Sequence, residues 1–319
     1  KQEIQTPLFM GTGIHKSLEY LYEYQANPVE VWHDWCDFNI KMVQDRLSSY
    51  ADEDEEKIEE KRQLGKDMLD YYVTWANKND DRYFKEVVDT EKKFIVPIYN
   101  ENGNKTHADL VGRLDGVVRD KFGQYWILEH KSYSSDDLSH LPTDPQVTAY
   151  SYAGHMLYGD DFAGCIFNVL IKETPRKPKV NKNGSVSRQK SKNLTKPLYL
   201  DTLEEQNEDP NDYQEMLEYI EEESRDFVIR KRVRKSKKEL NYIAEFLYNT
   251  YKDMSGAAIY PNRMKRCSWD CQFEQECSMM MKGESYQGLL DKNFQRQENV
   301  HELEEQFDEE YSHYKEDKQ

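Results

Sequence analysis

The sequence predicts an α/β protein in which a short β-hairpin sits between blocks of amphipathic helix. Three observations carry this. Two strand-type runs, 110–118 and 124–131, flank the turn Asp120-Lys121-Phe122-Gly123, as a short hairpin ending in glycine requires. Ahead of it, 12–25, 28–50 and 55–77 carry apolar side chains at helical spacing between charged faces. Behind it, a helix over 144–158 and an apolar strand over 163–171 give the alternation from which an α/β sandwich is built.

The elements follow in order. In the first helix Ile14, Leu18 and Leu21 form an apolar stripe, with His15, Glu19 and Tyr22 beside it. Gly11 and Gly13 leave room for the backbone to approach a neighbour. A strand near 94–98 leads into the hairpin. Asp144 suits an N-cap and Pro145 the first helical position; Gln146 and Tyr150, four apart, then share a face. Cys165, within an apolar run, reads as a small core residue. Helices are expected at 211–228 and 235–254. The chain of 319 residues shows no internal repeat, so we read one elaborated domain over 1–285 and a polar, acidic tail or helix over 286–319. That last segment has too few apolar residues to bury much surface.

The hairpin concentrates the chemistry. A turn centred between Lys121 and Phe122 puts Asp115 nearly opposite Leu128 and Glu129. Glu129 and Lys131 are two apart and project from one strand face roughly 7 Å apart. Two carboxylates and an ammonium thus converge among apolar neighbours. Facing carboxylates repel and are costly to bury unless a cation lies between them. Oxygen ligands suit Mg²⁺ and Mn²⁺. The lysine can then stabilise developing negative charge or orient a water. The plain alternative is a solvated strand edge.

Asp115 followed by Glu129-x-Lys131 resembles the core of the PD-(D/E)XK nuclease superfamily. Gln146-x-x-x-Tyr150 resembles the Gln-x-x-x-Tyr motif of its RecB-like branch, and Gly11-x-x-x-His15-x-x-Leu18-Glu19 resembles that branch's histidine-bearing helix. The motif order matches over most of 10–280. The resemblance implies a restriction-endonuclease-like core, a mixed central sheet flanked by helices, with helical extensions at both ends. It implies a metal-dependent DNA exonuclease acting on single-stranded ends in phage or bacterial recombination, repair or processing. His15, Asp115, Glu129 and the His130 carbonyl would hold Mg²⁺ or Mn²⁺. Asp115, Glu129 and Lys131 would be catalytic, and Gln146 and Tyr150 would orient the strand, with Glu19 less certain. A helicase or recombination protein would be the partner. Two alternatives stand beside it: a nuclease of the CRISPR-adaptation type, which shares these motifs, and a non-catalytic DNA-binding protein with a structural metal centre.

Cys267, Cys271 and Cys277, three of the five cysteines, fall within eleven positions after Tyr260-Pro261. Such crowding indicates disulfides or a metal centre. No stretch resembles a signal peptide or a membrane span, so the expected setting is the cytoplasm (of the host, if phage-encoded), where thiolate ligation is favoured. RecB-like nucleases with a [4Fe–4S] cluster carry Cys-x2-Cys-x5-Cys after the core; here the first gap is one residue longer. The softness of the ligands admits Zn²⁺ as well, and the resemblance favours iron. The fourth ligand would be Cys36 or would lie in a segment ahead of Lys1.

A net charge of −17 argues superficially against nucleic acid, but phosphate binding depends on local charge. Lys172 to Lys196 holds nine basic residues and one acidic, Glu173, among Pro, Gly, Ser and Asn. It reads as a long, mobile DNA-binding loop over about 172–197, with Arg176, Lys177, Lys179 and Arg188 on phosphates. A second basic run, 230–238, reads the same way. The plain alternative for both is a solvated surface.

Overall fold

The computed structural model describes residues 6–44, 51–256, 264, 267, 271, 273–294 and 301–315. Three helices open the chain: α1 (Thr6–Tyr24), α2 (Pro28–Gln44) and α3 (Ala51–Asn79). They pack through aromatic rings, with Trp32 at the centre. A Cβ added at Gly13 or Gly65 would overlap the Trp32 ring, and at Gly13 the Trp35 ring also. Gly11 meets nothing within 4 Å, so of the glycine pair only Gly13 serves a close approach.

The sheet has five strands in the order β1 (Glu86–Tyr99), β2 (Lys105–Arg119), β3 (Tyr125–Tyr133), β4 (Phe162–Ile171) and β5 (Val228–Val233). The first three form an antiparallel meander, β4 runs parallel to β3, and β5 returns antiparallel. In the turn between β2 and β3 the Asp120 carboxylate accepts from the N–H groups of Phe122 and Gln124 and from the Trp126 indole. Gly123 takes φ +82°, a conformation that costs glycine little. Parallel strands require a long crossover, and α4 (Pro145–Tyr158) provides it. Asp144 caps α4 by accepting from Gln146 and Val147, and Pro145 opens the first turn.

Strand alternation sorts side chains into two layers. Ile127, Cys165, Phe167 and Val169 pack beneath α4 with Leu141, Val147 and Ala153. Trp126, Leu128 and Ile166 pack on the other face with Phe84, while Leu170 joins the aromatic layer of α1–α3. Each such side chain, fully buried, contributes roughly 1.5–3 kcal/mol relative to exposure. Mixed strands between helical layers make this an α/β fold.

Several expectations need correcting. The helix expected over 211–228 ends as α6 (Gln214–Glu223), and the chain then forms β5. An unforeseen helix, α5 (Lys196–Glu205), follows the basic stretch. That stretch is no open loop. Bridges pair Arg176 with Leu194 and Val180 with Val186, and Val186 and Leu194 join Tyr199, Leu203, Tyr213 and Met216 in a small core of their own. α7 (Lys237–Gly256) matches its expected span.

Two short helices, α8 (Glu274–Met281) and α9 (Gln287–Asn293), follow, and then α10 (Glu302–Glu310). The segment expected to bury little does the opposite here. Phe307 of α10 is wholly buried in the N-terminal aromatic layer, 5.3 Å from the Trp35 ring and 5.6 Å from the Phe38 ring. Asp308 accepts from Lys16 at 3.0 Å and from the Tyr20 hydroxyl at 3.0 Å. Tyr260 and Pro261 lie outside the described residues.

Candidate active site

The β2–β3 ladder runs from Arg119↔Tyr125 to Gly116↔Leu128 and stops there. Past that point the strands part, and the next pair of side chains is Asp115 and Glu129. Asp115 Oδ2 accepts the His130 N–H at 2.8 Å, a donor the interrupted ladder leaves free. The same oxygen lies 3.4 Å from His15 Nδ1. Thus α1 and the hairpin meet at one carboxylate.

Glu129 is held from α4. Its Oε1 accepts from Gln146 Nε2 at 2.9 Å and from Lys131 Nζ. Gln146 also donates to the Tyr150 hydroxyl at 3.0 Å, which in turn donates to the Arg113 carbonyl at 2.8 Å. The Gln-x-x-x-Tyr pair therefore holds Glu129 and anchors α4 to β2. The structure brings together His15, Asp115, Glu129, His130, Lys131, Gln146 and Tyr150, all singled out by sequence.

Electrostatics separate the two carboxyls. Burial raises Glu129, the Asp115 charge raises it further, and it reaches about 7 in spite of Lys131. Asp115 also suffers burial, but His15, His130 and Lys131 outweigh it and hold Asp115 below the usual carboxylate range. Burial lowers His15, yet Asp115 prevails and raises it. Burial drives His130 down to about 3, so that ring is neutral. Lys131 is raised by Glu129 against the opposing effect of burial.

Glu129 Oε2 is buried with no hydrogen-bond donor among the described residues. A buried carboxylate oxygen left unpaired costs roughly 1–3 kcal/mol or more. The two carboxyls are oxygen donors that suit Mg²⁺ or Mn²⁺, with the His15 imidazole beside them. The residues thus fit a divalent cation, although among the described residues no three His, Cys, Asp or Glu side chains form an ion-holding group as they stand. Beside them opens a cleft of about 260 Å³, lined by His15, Lys16, Glu19, Arg113, Asp115 and Glu304 among others.

Of the far wall of this cleft, sequence reasoning singled out Glu19 and missed the rest. Arg113 pairs with Glu91 at 2.6 Å and with Glu304 of α10 at 2.6 Å. Glu19 is buried against Lys16 at 2.8 Å. Arg113 stands two residues before Asp115 on the same strand, a signal that was available; the partners lie too far along the chain to be read.

The remaining predicted residues lie elsewhere. Arg176, Lys177 and Lys179 line a separate cleft of about 260 Å³ together with Lys190. Lys177 pairs with Glu205 at 3.0 Å, and Arg188 donates to the Asp212 carbonyl at 2.9 Å while lying over the Tyr213 ring. Arg176 and Lys179 form no ion pair among the described residues. Within the second basic run Arg230 is buried and faces no solvent, whereas Lys231, Arg232, Arg234, Lys237 and Lys238 are exposed. Cys267 and Cys277 are half-buried and Cys271 is exposed, whereas Cys36 is sealed in the N-terminal core. Burial raises the Cys36 thiol to about 12. Among the described residues Cys36 forms no ion-holding group with the other three. Met264 N–H donates to Cys267 Sγ at 3.3 Å, a local turn that brings one thiol toward the backbone. No helix among the described residues is long and apolar enough to cross a membrane.

Comparison with family models gives no match for this sequence, and comparison with curated proteins gives none either.

Proposed function

We propose that this chain is a metal-dependent deoxyribonuclease of the PD-(D/E)XK type, an exonuclease that hydrolyses phosphodiester bonds at single-stranded DNA ends. The observation that supports it most is the unpartnered, buried Glu129 Oε2 where the strands part beside Asp115, with Lys131 and Gln146 already fixed on Oε1. His15, Asp115, Glu129 and the His130 carbonyl would hold Mg²⁺ or Mn²⁺. Such an ion neutralises phosphoryl charge and lowers the pKa of water.

The protein's part is positioning. Lys131 Nζ, tied to Glu129, holds the attacking water and offsets charge gathering on the phosphate. Gln146 keeps Glu129 in one rotamer, and Tyr150 fixes α4 to β2. As the water oxygen bonds to phosphorus it gives up a proton to solvent, the bond from phosphorus to the leaving sugar oxygen breaks, and that oxygen takes a proton from solvent. Arg176 and Lys179 supply phosphate contacts away from the chemistry. Cys267, Cys271 and Cys277 form part of a structural metal centre, a [4Fe–4S] cluster rather than Zn²⁺, on the strength of their crowding. Iron and zinc content per chain and the visible absorbance of anaerobically purified protein, wild type against Cys267→Ser, test that part.

Labelled single- and double-stranded DNA, incubated with Mg²⁺ or Mn²⁺, tests the activity. Asp115→Ala, Glu129→Ala and Lys131→Ala should abolish cleavage without unfolding the protein. His15→Ala should raise the metal concentration needed. Cleavage by any of the first three near the wild-type rate would overturn the assignment. DNA binding without cleavage by the wild type would favour the non-catalytic alternative.

A further inference from the structure

His130, Asn168 and Arg230 stand in one row across three adjacent strands: His130 of β3 is in register with Asn168 of β4, and Asn168 with Arg230 of β5. All three are buried, on the face turned toward α1 and α3. Arg230 Nε donates to Asn168 Oδ1 at 2.9 Å, and Asn168 Nδ2 bonds His130 Nδ1 at 2.9 Å. Arg230 also reaches Asp80 at 2.5 Å and the Tyr72 hydroxyl at 2.8 Å. Tyr22 stacks flat on the His130 ring, centroids 5.6 Å apart at 12°.

The hydrogen-bond directions follow from donor counts. A guanidinium only donates, so the amide oxygen of Asn168 must face Arg230. Its NH₂ group then faces His130, so Nδ1 must accept and the ring proton lies on Nε2. Packing alone does not call for a polar row here: a buried ion pair replaced whole by apolar side chains of similar volume is often neutral or stabilising, and in the neighbouring row on the same face Leu128 and Ile166 are apolar, with the exposed Arg232 third. What the row does accomplish is to fix the ring of the residue whose N–H holds Asp115.

We propose that Arg230 and Asn168 are positioning residues for the candidate metal centre: the guanidinium orients the amide, the amide orients the His130 ring, and the ring holds the peptide that sets Asp115 opposite Glu129. This rests on the metal-nuclease reading. Partners that orient a metal's ligands typically change affinity 10- to 100-fold when removed.

Asn168→Asp tests it with little change of shape. Aspartate still pairs with Arg230 but offers His130 Nδ1 an acceptor, so the ring proton must move to Nδ1. Two readouts need no DNA: the tautomer, from ¹⁵N chemical shifts of labelled histidine, and Mn²⁺ affinity, from calorimetry. The wild type should carry its proton on Nε2. Asn168→Asp should move it to Nδ1 and weaken Mn²⁺ binding about 10- to 100-fold, with an unfolding temperature no lower than wild type. Arg230→Met, which keeps length and removes every donor, should weaken Mn²⁺ likewise.

A moved proton with unchanged Mn²⁺ affinity overturns the proposal, as does a wild-type proton on Nδ1. Wild-type protein that binds no Mn²⁺ overturns it together with the metal-nuclease reading. Wild-type protein that binds Mn²⁺, is weakened by these substitutions and yet cuts no DNA leaves the row standing and removes only the nuclease.

Discussion

The two basic runs are alike in composition and opposite in fate. Residues 172–196 fold into an irregular surface segment pinned by two isolated bridges, whose cations face a cleft or pair with acids of α5 and α6. Residues 228–233 form an inner-facing strand in which Arg230 is buried, Lys231 is exposed and Arg232 lies over the Tyr83 and Trp126 rings. Counting charges cannot tell them apart. Period can: Val228, Arg230 and the residues around them obey the alternation of a strand, while the first run is broken by Pro and Gly. A cation at an inward position then requires partners, and Asp80, Tyr72 and Asn168 are those partners.

The contrast can be broken by substitution. Arg230→Ala should have the largest effect, a drop of about 3–5 kcal/mol in denaturant unfolding, because it strands the groups that surround a buried charge. A drop below about 1 kcal/mol would mean that Arg230 is no more integral than the cations of the 172–196 surface segment, whose substitution costs little. Arg232→Ala should come next, at about 1 kcal/mol, since it gives up stacking on two rings at an exposed site. The smallest stability effect belongs to the double variant Arg176→Ser with Lys179→Ser, within about 0.5 kcal/mol of wild type. That same variant should lower the log–log salt slope of single-stranded DNA binding by about 1.4, some 0.7 for each phosphate no longer neutralised. An unchanged slope would assign both residues to plain solvated surface.

Local chemistry was legible in the sequence; distant partnership was not. The Asp120 turn, the Asp144 cap and the spacing of Asp115, Glu129 and Lys131 are each determined by residues a few positions apart, and the structure contains them as expected. The resemblance implies that Gln146 orients a DNA strand; what the structure shows is its bond to Glu129. β5 escaped notice because half its residues are Arg or Lys, and the carboxylate that permits one of them to be buried is 150 positions away. The burial of α10, though not a helix in this segment, escaped because acidic composition hid a sparse apolar stripe, Phe307, Tyr311 and Tyr314, at helical spacing. That stripe was present to be read. Its target, Trp35 and Phe38, was not.

The docking of α10 on α1 has a consequence for biosynthesis. Tyr20 and Asp308 touch although 288 positions separate them, a closure that slows folding because so much chain entropy is given up before the two meet. During translation the rings of Tyr20, Trp35 and Phe38 wait uncovered until Phe307 has left the ribosome. Arg113 likewise waits for Glu304. The nascent chain therefore carries an unfinished cleft wall and a sticky aromatic face while the residues between Phe38 and Phe307 are being made. This is the interval in which a chaperone would bind it, and in which aggregation would compete with folding.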